Sequence, residues 1–221
     1  MQVIQLKGSD TIYSSNAFLV LGEWNAVSDV TTLVDVGADP AMADALDHIN
    51  TGVGKKKIDR VVLTHTHSDH TLNLNLLRKR YHHEVLAFSP YFEGVDRVLK
   101  NGEMIRMGER WFEVIHMPGH SDDSIVLYNS DEGVLFAGDT PLVINSPGGT
   151  YNQGFVQALK ALCRKHVKVV YSGHGDPLWK GAREVLRHSL ENVLNSAVNG
   201  ADDYDGNSGE MKTGNGHRVG R

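Results

Sequence analysis

Three imidazoles and a carboxylate crowd the segment Thr64-His65-Thr66-His67-Ser68-Asp69-His70, directly after the β-branched run RVVLT at 60–64. Four potential ligands packed at the end of a strand are costly to hold together without a cation. The chain must therefore leave a strand here and turn around a metal site. In extended backbone, residues two apart face the same way, so His65 and His67 can reach one ion from one side. Asp69 and His70 lie past the turn and point elsewhere, which predicts a second ion. A polar loop in which Asp69 merely caps the next helix leaves the crowding unexplained.

One segment cannot saturate two ions, so further ligands are expected at later strand ends. Three places supply them: Pro118-Gly119-His120-Ser121 after RWFEVIH at 110–116, Gly138-Asp139-Thr140 after VLFA, and Ser172-Gly173-His174-Gly175 after VKVVY at 167–171. Each lies beside glycine, which permits a sharp turn and a close approach. Loops at strand ends are also where rigid scaffolds place chemistry.

The rest of the chain alternates in the same way. Strands are expected at 3–6, 16–21, 31–36, 60–64, 84–89, 110–116, 124–128, 134–139 and 167–171. Helices are expected at 41–50, behind Asp39 with Pro40 at the first helical position, and at 71–81, 152–166 and 178–196. Two strand-rich halves, each carrying helices, predict an α/β (α+β) chain folded as a four-layer αββα sandwich of two mixed β-sheets. One domain over 1–196 is expected, followed by a polar, flexible tail at 197–221.

With 40% hydrophobic and 22% charged residues, the 221-residue chain has the composition of a soluble globular protein. Its net charge of −5 argues against nucleic acid or an anionic membrane as the partner, leaving a small molecule. The opening MQVIQLKGSD lacks the pattern of an export signal, and no run approaches ~18 consecutive apolar residues. The single cysteine, Cys163, excludes an internal disulfide and suits a reducing compartment, so the cytoplasm is the expected location. A homo-oligomer is neither required nor excluded.

The ordered set HxHxDH, PGHS, GDT and SGHG resembles the metallo-β-lactamase-fold hydrolase superfamily, over roughly residues 1–196. The resemblance implies that His65, His67 and His120 hold one metal, Asp69, His70 and His174 the other, and that Asp139 bridges them. An aspartate at the bridge looks like the glyoxalase II (hydroxyacylglutathione hydrolase) branch. The best-known β-lactamases of this fold carry a cysteine ligand, and Cys163, in an expected helix, cannot fill that place. Asp35, in LVDVG, matches a carboxylate that orients a ligand histidine; its plain alternative is a strand-terminating Asp in a turn ahead of Gly37.

These ligands suit two divalent ions, zinc first, with iron and manganese also accepted by mixed N/O donors. The expected reaction is hydrolysis of a small thioester, lactone or ester by a hydroxide shared between the ions, with Asp69 as the catalytic carboxylate. Tyr151 is a candidate for substrate binding. Two alternatives remain: a persulfide dioxygenase-like iron oxidoreductase using His65, His120 and Asp139, and an inactive metal-binding or regulatory protein. The other seven histidines, His48, His82, His83, His116, His166, His188 and His217, read as bystanders, and Lys55–Lys57 as a solvated loop. The chain departs from glyoxalase II relatives at Thr71-Leu72, where two glycines are usual, and at Asp122-Asp123, which would add negative charge at the rim.

Overall fold

The computed structural model of the chain describes residues 1–9 and 11–199. The first half contains β1 (Gln2–Leu6), β2 (Ala17–Leu21), β3 (Thr32–Val34), α1 (Ala41–Asp47), β4 (Arg60–Val62), α2 (Ser68–Thr71), α3 (Leu74–Arg80), β5 (Glu84–Ala87) and β6 (Arg97–Val98). The second contains β7 (Met104–Met107), β8 (Arg110–His116), β9 (Ile125–Asn129), β10 (Val134–Gly138), β11 (Thr150–Asn152), α4 (Gln153–Leu162), β12 (Val169–Ser172), α5 (Ala182–Leu194) and β13 (Ala197–Asn199).

Two mixed sheets result. The first runs β1-β2-β3-β4-β5-β6, antiparallel as far as β3 and parallel beyond it. The second runs β12-β10-β9-β8-β7, with only β10 and β12 parallel. Strand alternation sorts the core into three layers. In β2, Leu19 and Leu21 pack with Met42, Leu46, Leu74 and Leu77 of α1 and α3. Phe18 and Val20 face the second sheet instead, meeting Phe112, Leu127, Phe136 and Tyr171. On the far side of the second sheet, Val126, Leu135 and Val170 pack with Phe155, Leu159, Leu186 and Val193 of α4 and α5. This is the αββα sandwich.

Several boundaries differ from expectation. The helix expected at 71–81 is preceded by the short turn α2, which starts at Ser68 with His67 at its cap position. The helix expected from 178 begins only at Ala182, because Leu178 bridges back to Val170 and Gly181 takes a left-handed φ of 72°. Strands β6, β7, β11 and β13 were not expected. Of the tail expected from 197, Ala197–Asn199 pair in parallel with Thr150–Asn152; residues 200–221, with His217, lie outside the described residues. Among the described residues, no helix is long and apolar enough to cross a membrane.

Candidate metal centre

Both sheets end at one rim, and the expected ligands meet there. Thr64 is fixed from both sides, since Ile125 N–H donates to its carbonyl (2.8 Å) and its own N–H donates to Asp35 (2.8 Å). His65 follows, His67 stands in extended backbone at the start of α2, and α2 carries Asp69 and His70. On the second sheet, a register shift between Phe136 and Gly138 ends β10 with a bulge that aims Asp139 at the rim. His120 and His174 stand on the loops after β8 and β12.

The donors form two groups, each with its ligand atoms within 4.8 Å of one another: His65, His67 and His120, and Asp69, His70, Asp139 and His174. His120 Nε2 is 2.9 Å from His67 Nδ1, and His174 Nε2 is 3.1 Å from Asp69 Oδ2. Asp139 reaches both groups, with Oδ1 3.2 Å from His70 Nε2 and Oδ2 3.6 Å from His120 Nε2.

Within the cluster, buried His65 Nε2 has no polar partner, and buried His70 Nε2 and Asp139 Oδ1 face each other at 3.2 Å without a well-aligned hydrogen bond. Buried polar atoms are nearly always satisfied, and divalent ions at these positions would satisfy all three. A cradle holds the cluster: a Cβ on Gly173 would overlap Asp139 Oδ1 and lie 2.7 Å from His70 Cε1. The residues fit the metals that the donor chemistry calls for.

Asp35 is buried behind this cluster. Its Oδ2 lies 2.9 Å from His70 Nδ1 and accepts from Thr64 Oγ1 at 2.8 Å. Its left-handed φ of 56°, uncommon outside glycine, also makes it the turn residue before Val36-Gly37, so the two readings of this position coexist.

Electrostatics follow from burial and neighbours. Burial opposes charge on His70, but Asp35 and Asp139 outweigh it and push the imidazole up to about 10. His65, buried and facing His70, is pushed down to about 4. Burial of Asp139 is likewise outweighed by His70 and the other imidazoles, which hold its carboxyl at about 2. Without a cation, a proton on His70 carries positive charge between two carboxylates. A metal must displace it.

Other candidates are placed differently. Tyr151 lies on β11 with its ring stacked on Phe155, 5.7 Å between centroids, and packs against the core. Asp123 accepts from Thr66 Oγ1 and Ser121 Oγ, both at 2.7 Å, and so ties the His67 loop to the His120 loop. Leu72 stands exposed near the rim, whereas Thr71 is buried and donates to the His67 carbonyl. Cys163 caps α4 rather than sitting inside it, with Sγ 3.3 Å from the Leu186 carbonyl. Lys57 is not free in solvent, since Nζ donates to the carbonyls of Asp47 and Ile49 behind α1.

Tyr13 was missed by the sequence reading. Its ring stacks on His174 (5.0 Å) and its hydroxyl is 3.3 Å from His174 Nε2. The loop carrying it is stitched to the centre by Ser15 N–H to the Asp69 carbonyl and Asn16 N–H to the Gly173 carbonyl. A tyrosine in a loop of Ser, Thr and Asp gives no local signal for such long-range contacts.

The sequence profile of the metallo-β-lactamase superfamily matches residues 10–174. The chain belongs to that superfamily. Among curated members it is 35% identical over 130 residues to a probable hydroxyacylglutathione hydrolase of Schizosaccharomyces pombe, covering 54% of this chain and 50% of that protein. It is 25% identical over 177 residues to the atrochrysone carboxyl ACP thioesterase of Emericella nidulans, covering 79% and 56%. This superfamily member thus spans about half the length of the curated relatives it matches, and it is similar to the glyoxalase II branch. Among solved structures, ETHE1 from Myxococcus xanthus superposes with a TM-score of 0.64 at 24% identity, covering 88% of this chain and 85% of that one.

Proposed function

We propose that the protein is a metal-dependent hydrolase of an activated carbonyl in a small molecule, a thioester before a lactone or ester. The observation that carries this reading is Asp139, which lies where the two donor groups meet: Oδ1 is 3.2 Å from His70 Nε2, and Oδ2 is 3.4 Å from His174 Nε2 and 3.6 Å from His120 Nε2. Zinc is the proposed occupant, with iron and manganese suited to the same donors. When bound there, divalent ions supply Lewis acidity that polarises a carbonyl and lowers the pKa of water toward about 7. The relatives named as a thioesterase and a hydroxyacylglutathione hydrolase support the substrate class.

The chain's own groups do the rest. Asp69, carried on α2 beside His70, orients the attacking water and takes its proton. The water oxygen bonds to the carbonyl carbon as the C–S bond breaks, and Asp69 passes the proton to the departing sulfur, leaving a carboxylic acid and a thiol. Asp35 holds the His70 ring, and Asp123 fixes the His67 and His120 loops to each other. The half-buried thiol of Cys163 fits a reducing compartment, and the cytoplasm is the proposed location.

The iron oxidoreductase reading has less behind it: His65, His120 and Asp139 are near one another, but the ETHE1 likeness at 24% identity speaks to fold alone. Elemental analysis together with turnover of a panel of acyl thioesters and lactones tests the hydrolase. Alanine at both His67 and His120 should remove metal and activity together. Full turnover by metal-stripped protein refutes the reading, and a metal-loaded protein that cleaves nothing on the panel favours a regulatory role.

A further inference from the structure

A groove of about 610 Å³ opens beside Pro118, two residues before His120, and runs along one face of α4 past Gly154, Ala158 and Ala161 to Arg164. These helix positions fall three to four residues apart and so share a side. From Gly154 to Leu162, where α4 ends, the helical rise corresponds to about 12 Å, and Arg164 follows in the next turn. The small residues leave room for a narrow, linear arm, while Gln157 and Asn101 in the groove lining offer partners for amides.

At Arg164 this groove meets a second one. Lys160, Arg164, Arg183 and Arg187 line a pocket of about 300 Å³, completed by Cys163 and Leu190. All four cations are exposed, and none is ion-paired among the described residues, although most other arginines of the chain are. In a chain of net charge −5, four cations at one place give this surface a local positive potential that attracts a polyanion.

Resting on the thioester reading above, we infer that the thiol half of the substrate is a long arm lying along α4 and ending in a phosphorylated nucleotide held by Lys160, Arg164, Arg183 and Arg187. The reacting carbonyl then sits at the His120 end. Arginine clusters suit phosphate because each guanidinium can donate two parallel hydrogen bonds.

The test uses the metal-loaded full chain and two probes. Calorimetry with desulfo-coenzyme A, which has no thiol to bind metal, reads the tail alone. Saturable binding of one molecule per chain is expected, weakening by about tenfold or more in an R164A/R187A double variant and as salt rises. In turnover, one acyl group is presented on coenzyme A and on N-acetylcysteamine. The wild type should show a KM about tenfold lower for the coenzyme A thioester, and the double variant should bring the two KM values together. Equal KM values in the wild type, or no binding of desulfo-coenzyme A, overturn the inference and leave the hydrolase standing. Tight binding with neither thioester cleaved strikes the hydrolase reading and supports the nucleotide site.

Discussion

Asp35 Oδ2 sits 2.9 Å from His70 Nδ1, leaving His70 Nε2 aimed at Asp139. The carboxylate fixes which ring nitrogen would face a metal. Asp35→Asn keeps the shape and loses the charge, so metal affinity should fall about 10- to 100-fold, the usual cost of removing such a partner. Chelator competition followed by elemental analysis measures this; unchanged affinity would show that the pair is only structural.

Gly173 offers a steric test of the same cluster. A Cβ there overlaps Asp139 Oδ1, so Gly173→Ala should abolish metal uptake and turnover while far-UV circular dichroism stays native. Gly175→Ala is the control: its Cβ meets nothing within 4 Å, and only left-handed strain of about 1–2 kcal/mol applies. Normal metal uptake by Gly173→Ala would contradict the cradle.

Acidity should act in opposite directions through His70 and His65 in the metal-free protein. Between the ordinary 6.5 and about 10, metal-free protein loses the stability contributed by protonated His70, because its folded value is raised. Below 6.5, His65 works the other way: its folded value of about 4 means that stability falls as pH drops through that interval. Metal-free stability should therefore peak near pH 6.5. Since bound metal replaces the His70 proton, the rise in Tm on adding metal should grow from pH 6.5 toward 10. A metal-induced shift independent of pH would rule this out.

Tyr13→Phe keeps the stacking on His174 and removes the hydroxyl. A cation at His174 Nε2 would free that hydroxyl for a substrate oxygen. Loss of one neutral hydrogen bond, about 0.5–1.5 kcal/mol, should lower kcat/KM by about two- to tenfold with metal content unchanged. An unaltered kcat/KM would leave Tyr13 a packing residue.

What the sequence disclosed was chemistry placed at strand ends. His65, His67, Asp69 and His70 are local to one turn, and His120, Asp139 and His174 each follow an apolar strand next to glycine, so their types and positions could be read directly. Long-range pairing was less visible. Met104–Met107 and Thr150–Asn152 become strands because β8 and β13 lie beside them, and strand formation depends on such neighbours more than on intrinsic preference. Tyr13 reaches His174 through backbone bonds from Ser15 and Asn16 to loops far along the chain. Asp123 read as rim charge because its hydroxyl partner Thr66 is distant in sequence.

The His65–His70 run belongs to the first sheet, whereas His120, Asp139 and His174 belong to the second. Neither half of the chain owns a complete coordination sphere. A bound ion would rivet the two halves, and a chain severed between β6 and β7 could recover its metal only by reassembling them, which makes metal uptake a gauge of whether both sheets are correctly docked.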